Sequence, residues 1–256
     1  MKWIIVIAAF AGIIGFEFNK NKSQEKVIIQ PLKKSFKSFA VLELFTSEGC
    51  SSCPPADKLL PQLAALDSNI IALSFHVDYW DHLGWKDPFS NAGFSERQRK
   101  YGGQFHLESI YTPQLVINGR YELVGSNRST AEADIKRVLE EKAAVQLSIE
   151  EVKKEDKKLL ITCQAKGDFK NTDLLVALVQ THAEMKVRAG ENEGANLSHT
   201  NVVRSFIHLP VQPTMNVKID LPGDIAEVNW KLILYTQQNG DLKITGVAVF
   251  ESASSK

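Results

Sequence analysis

The chain has 256 residues, 44 % of them apolar and 23 % charged, with 30 basic side chains balanced by 30 acidic ones. That length buries a substantial core and suits one large domain or two small ones. Balanced charge supplies no bulk field to draw nucleic acid or an anionic membrane, and no like-charge block, repeat or low-complexity tract is present.

The N-terminus reads "MKWIIVIAAFAGIIGF", a basic residue and then an uncharged, mostly apolar run from Trp3 to Phe16. As a helix this run reaches about 21 Å, short of the ~30 Å hydrocarbon core. The pattern predicts an export signal over residues 1–18 and a polar linker, opening "NKNKSQEK", over 19–37. Ala9-Phe10-Ala11 sits too early for a cleavage site, so an uncut membrane tether is the alternative. The expected location is the periplasm or cell envelope, with membrane contact only through this segment.

"SFAVLELF" (38–45) predicts a strand that runs into "TSEGCSSCPPADKLL". There Ala56, Leu59, Leu60 and Leu63 mark one face of a helix, Pro54 and Pro55 suit its first turn, and Pro61 predicts a kink or an early end. "NIIALSFHV" (69–77) predicts a buried strand, and "AGFSERQRKY" a short helix stopped by Gly102-Gly103. "TPQLVING" and "YELVG" predict a hairpin across Asn118-Gly119. "STAEADIKRVLEEKA" predicts a helix opened by a Ser129–Glu132 capping box. This β-α-β-α-β-β-α order predicts a mixed sheet with helices on its faces. From about residue 144, seven apolar runs follow one another without a helix, which predicts an all-β sandwich-like domain over 145–251 and a short tail, 252–256. Cys163 is expected to be inert on the buried face of one of these strands.

Chemistry concentrates at Cys50 and Cys53. At a strand–helix junction the first thiol of a C-x-x-C pair sits where free helix amides and the macrodipole favour a thiolate, so Cys50 is the expected exposed nucleophile and Cys53 the shielded resolving thiol. Pro113, after Thr112, opens a strand and can take a cis bond. In the thioredoxin plan such a proline lines the substrate groove; otherwise it merely starts the strand.

With these signatures the chain resembles the thioredoxin superfamily over residues 38–144. "FHVDYWDHLGWKDPFS", the following "RQRKY" and "GENEGANLSHTNVVR" resemble a bacterial family of exported thioredoxin-fold proteins, domain of unknown function 1223. The resemblance implies an α/β thioredoxin-like domain followed by an all-β sandwich-like domain, with redox ancestry but no assigned substrate. Gly49 stands where thioredoxins carry a tryptophan, Ser51-Ser52 where they carry Gly-Pro, and Leu44 where they carry a buried aspartate. Glu48 is then the nearest acid for proton handling, and Glu43 is expected on the opposite face of its strand.

"HVDYWDH" adds His76, Asp78, Asp81 and His82, suited to proton handling or, less well by spacing, to a metal. Tyr79, Trp80, Trp85 and Phe89 either pack an insertion onto the sheet or, as Trp80 and Trp85 suggest, form a platform for a peptide. Residues 182–200 predict a long loop in which Glu191, Asn192, His199 and the neighbouring Arg204 stand out. Calcium-loop spacing is absent, and the loop is expected to pack against the first domain and reach over the cysteine edge.

The leading expectation is a thiol–disulfide oxidoreductase acting, without a cofactor, on protein or peptide thiols and disulfides with a redox partner. A copper- or zinc-handling protein, with Cys50, Cys53 and His76 or His82 as ligands, and an envelope binding module with a structural disulfide are the alternatives.

Overall fold

The computed structural model describes residues 28–29, 34–225 and 229–252. The expected export segment, residues 19–27 and 30–33 of the linker and residues 253–256 of the tail lie outside the described residues. In chain order the elements are β1 (Ile28–Ile29), β2 (Lys34–Ser35), β3 (Ala40–Thr46), α1 (Pro54–Ala64), β4 (Ile70–His76), α2 (Ala92–Gln104), β5 (Gln114–Ile117), β6 (Tyr121–Val124) and α3 (Arg128–Leu139). There follow β7 (Val145–Glu155), β8 (Lys158–Gly167), β9 (Thr172–Lys186), β10 (Asn196–Pro210), β11 (Thr214–Asp220), β12 (Trp230–Gln238) and β13 (Ile244–Glu251).

These strands do not build a thioredoxin-like α/β domain followed by a separate sandwich; that expectation is overturned. The chain is mostly β, with three helices among the described residues, and one mixed sheet of nine strands runs β2-β13-β12-β9-β10-β4-β3-β5-β6. It therefore holds strands from both halves of the sequence. Their junction is the parallel pairing of β10 with β4 at Val202 and Ser74. Ser74 Oγ donates to Thr200 O at 2.8 Å and Asn201 Nδ2 to Ala72 O at 3.0 Å, which closes the seam. The seven predicted runs are strands, but β7, β8 and β11 join β1 in a four-stranded sheet laid over the β9–β12–β13 part of the large one. No local signal in the sequence says which strand β10 will choose as its neighbour.

β3 and β4 are covered on both faces and buried at every position, which explains why they are mainly apolar without alternation. Along β3, Ala40, Leu42 and Leu44 face α1 and α3, while Val41 and Phe45 face the α2 side. Glu43 shares that second face, as strand alternation predicts. β11, by contrast, buries every second residue because only one of its faces is covered.

Local punctuation departs from expectation in three places. α1 passes through Pro61 for another turn, its Leu63 fully buried. α2 continues through Gly102 and Gly103 to Gln104, and a side chain at Gly102 would meet Ile110 Cγ2 at 3.0 Å. α3 is capped by Asn127, whose side chain accepts from Thr130 N, so the Ser129–Glu132 box does not form. The Asn118-Gly119 turn does form, both residues having positive φ. A Cβ at Gly119 would lie 2.0 Å from Leu242 O, so the close approach of that backbone demands glycine.

Candidate functional site

β3 ends at Thr46, and a tight turn carries the chain to Cys53, the N-cap of α1. Cys50 N donates to Ser47 O and Cys53 N to Cys50 O, each at 3.2 Å. The turn folds Cys50 back onto Cys53, and the two form a disulfide with Cα atoms 5.4 Å apart. Two expectations are corrected here. Cys50 is not exposed: both cysteines have 0 % exposure, and Ser51 and Ser52 alone reach solvent between them. Nor does the helix offer free amides to Cys50, which lies three residues before the N-cap. Pro54 and Pro55 have no N–H, and the amides of Ala56 and Asp57 are bonded to Cys53 O at 2.9 and 3.1 Å.

Three segments enclose the pair. The Thr112-Pro113 bond is cis and precedes β5. Ser52 Oγ lies 3.4 Å from Cys50 Sγ and 3.4 Å from Thr112 O, so the serine bridges sulfur and proline segment. The aromatic stretch supplies Trp80, whose Nε1 donates to Thr112 Oγ1 at 2.8 Å, and Trp85, whose Nε1 donates to Glu48 Oε2 at 2.8 Å. Both indoles are walls of the site. A side chain at Gly49 would meet Trp80 Cβ at 3.1 Å, which accounts for a glycine before the first cysteine.

The third cover is the tip of the β9–β10 hairpin. The predicted nineteen-residue loop is mostly strand, leaving residues 187–195 as the connection. Asn192 Nδ2 donates to Glu48 O at 2.8 Å and to Cys50 O at 2.9 Å, and Glu191 Oε2 accepts from Ser51 N at 3.2 Å. Gly190, at φ +80°, lets the tip close on Trp85, where a Cβ would sit 3.2 Å from the Trp85 Cβ.

Next to the pair lies a buried charged cluster. His199, from β10, has Nε2 3.4 Å from Glu48 Oε1 and Nδ1 3.7 Å from Asp57 Oδ1. At those distances the contacts are ion pairs rather than hydrogen bonds of ordinary length. Burial works to lower the His199 pKa, but the Asp57 and Glu48 carboxylates outweigh it and raise it to about 9. His76 stacks edge-on against His199, ring centroids 4.6 Å apart, and its Nδ1 lies 2.6 Å from Asp87 Oδ2. Burial pushes the Asp87 carboxyl up. His76, with the amides of Glu48 and Phe89, overcomes this and holds it below its usual value. Thr46 Oγ1 donates to Asp57 Oδ2 at 3.2 Å.

The other candidates are placed elsewhere. Asp78 accepts from Ser95 Oγ at 2.5 Å, Asp81 accepts from Ser90 Oγ at 2.7 Å, and His82 is exposed. Among the described residues no group of three or more His, Cys, Asp or Glu side chains is arranged to hold a metal ion. Cys163 is buried in β8, and burial pushes its thiol up to about 11.

Sequence reasoning missed Asp57, Asp87 and the destination of His199. His199 was findable: it shares strand parity with buried Leu197, while Asn196 and Ser198 point to solvent. Asp57 sits beside the apolar stripe of α1, three residues before Leu60, with no sequence signal for its partner.

Solved structures similar to this chain include the following two. Protein AGR_C_4864 from Agrobacterium tumefaciens is 25 % identical, with a TM-score of 0.65 over 86 % of this chain and 98 % of that one. HBP35 of Porphyromonas gingivalis is 14 % identical, with a TM-score of 0.55 over 87 % of this chain and 77 % of that one; it shows likeness of fold alone. No curated protein matches. The model of a family described as proteins of unknown function, DUF1223, matches residues 41–237, most of the chain, and the chain belongs to that family.

Proposed function

We propose that the chain is a thiol–disulfide exchange protein working on protein or peptide partners outside the reducing cytosol, with Cys50 and Cys53 as its reactive pair. We further propose a likeness to the thioredoxin superfamily at the level of this site. The observation that carries the reading is the bonded C-x-x-C at the mouth of α1, tied through Ser52 Oγ to Thr112 O. In the reduced protein the Cys50 thiolate attacks a partner disulfide. The partner S–S bond breaks, one partner sulfur leaves as thiolate, and a mixed disulfide forms. Cys53 then attacks Cys50, the second partner thiolate leaves, and the pair becomes oxidised as the partner gains two electrons. A partner dithiol runs the same steps in reverse. Charge on Cys50 is met by the Ser52 hydroxyl, which turns its one hydrogen from Thr112 O to the sulfur, in place of free helix amides. Glu48 and His76 stand in the buried cluster and can serve its proton balance, whereas Asp78 and His82 are placed away from it.

Full burial of both sulfurs favours a second reading, a structural disulfide in a binding module. The two readings separate on trapping. A Cys53→Ser chain incubated with a disulfide-bonded peptide should accumulate a covalent adduct on Cys50, and Cys50→Ser should not. No adduct on either, with a potential below about −300 mV, decides for the structural bond.

Exchange also requires the hairpin tip to lift. Asn192→Ala removes two hydrogen bonds, each worth about 0.5–1.5 kcal/mol, so opening should be about 30-fold easier. The rate of Cys50–Cys53 reduction by dithiothreitol should rise by that factor. An unchanged rate would show that the tip does not guard the pair.

A further inference from the structure

Between α2 and one end of β9, β10 and β12 lies a cavity of about 360 Å³. Small-molecule sites begin at about 300 Å³. None of its lining residues belongs to the disulfide site or to the His199 cluster. Its apolar wall is Phe94, Tyr101, Leu175 and Phe206. On the same wall stands Arg97, whose guanidinium lies 5.0 Å from the Tyr101 ring centre and 5.2 Å from that of Phe206.

Arg97 is held unusually firmly. Its Nε and Nη2 donate to the two Glu43 oxygens at 2.9 Å, Nη2 also to Tyr101 Oη, and Nη1 to Gln237 Oε1. Four of its five N–H groups are thereby engaged, and one on Nη1 is left. A buried ion pair is no more stabilising than apolar residues of the same volume, so the fold alone gives no reason to put one here. Lys100, three residues further along α2 and hence on the same side, also lines the cavity, and no carboxylate pairs with it among the described residues. Of the acids at the rim, Glu96 is paired with Arg99 at 3.1 Å, while Asp173 has only the neutral Asn239 amide at 3.4 Å and His208 at 3.7 Å, at the Asp173 end of the lining. Arg204, at a bulge in β10, is paired with Asp224 and Gln180. Among the cavity's lining residues are the ring-bearing Phe94, Tyr101 and Phe206, the Lys100 ammonium and an Arg97 guanidinium with one N–H left.

We propose that this cavity binds a small carboxylic acid bearing a flat apolar ring. The ring packs against Phe94 and Phe206, and the carboxylate accepts from Lys100 Nζ and the remaining Nη1 hydrogen of Arg97. The site is independent of the disulfide chemistry proposed above.

The test titrates the full chain with 3-phenylpropionate, the neutral 3-phenylpropan-1-ol and acetate, followed calorimetrically. The acid should bind at least tenfold more tightly than the alcohol, and acetate should give no measurable binding. Lys100→Gln, a change at an exposed position, should weaken the acid about tenfold and leave the alcohol unchanged. Ser205→Trp, which fills the cavity, should abolish both. Absence of binding by the acid, equal binding of acid and alcohol, or binding that survives Ser205→Trp would overturn the proposal.

Discussion

Arg97→Met should lower the free energy of unfolding by about 3–5 kcal/mol, the cost of leaving a buried carboxylate without its counter-charge. Glu43 has no exposure, and its two oxygens also accept from Tyr101 Oη and, at 2.7 Å, from Tyr235 Oη. Burial works against the Arg97 charge, but the Glu43 carboxylate outweighs it and holds the guanidinium proton above its ordinary value. Removal of the cation therefore strands an anion between two hydroxyls in a ring-lined core. Urea unfolding followed by tryptophan fluorescence should show a lower midpoint with an unchanged m-value. Adding Glu43→Leu should recover a large part of the loss, because no charge is then left buried. Recovery stays incomplete, since Tyr101 and Tyr235 lose their acceptor. A loss below 1 kcal/mol in Arg97→Met would mean that the network contributes nothing beyond packing.

This network also shows where reading from sequence reaches its limit. Strand alternation alone placed Glu43 opposite Leu44, and the Asn118-Gly119 turn, the helix at Ala56–Leu63 and the cysteine pair at its start were equally legible. All depend on neighbours within a few residues. The partner of Glu43 was not legible: Arg97 lies in "SERQRKY", which looks like a solvated surface, and its burial is decided by β10 and β12 from the far half of the chain. The same non-local choice joins β10 to β4 and makes one large sheet where seven strands in series suggested a domain of their own. Gly102 stays helical because packing against Ile110 outweighs its low propensity. At the site the residues nearest in sequence were found, and so was the reach of the Glu191–Asn192 stretch over the cysteine edge, whereas the pairing of His199 with Glu48 and Asp57 joins residues about 140 apart or more and was not legible.

His199 provides the second large effect. Its folded pKa of about 9 lies above the ordinary 6.5, so folding favours the charged ring. A raised pKa contributes stability that is fully present below pH 6.5 and is lost as pH rises through about 9. The difference is worth about 3 kcal/mol at 1.36 kcal/mol per pKa unit. The groups facing the ring are Glu48 from the turn, Asp57 from α1 and His76 from β4, with Asp87 behind His76. Unfolding of the oxidised protein should be compared between wild type and His199→Gln at pH 6 and pH 9.5. The variant should be less stable at pH 6, where Glu48 and Asp57 lose their cation, and the gap should narrow by about 3 kcal/mol at pH 9.5. Titrations common to both chains cancel in the difference, and the disulfide keeps Cys50 and Cys53 from titrating. Since His199 sits on the arm of the hairpin whose tip covers the cysteines, its neutralisation should also speed disulfide reduction in the wild type more than in the variant. Stability curves that run parallel from pH 6 to 9.5 would show that His199 is not held charged between the two carboxylates.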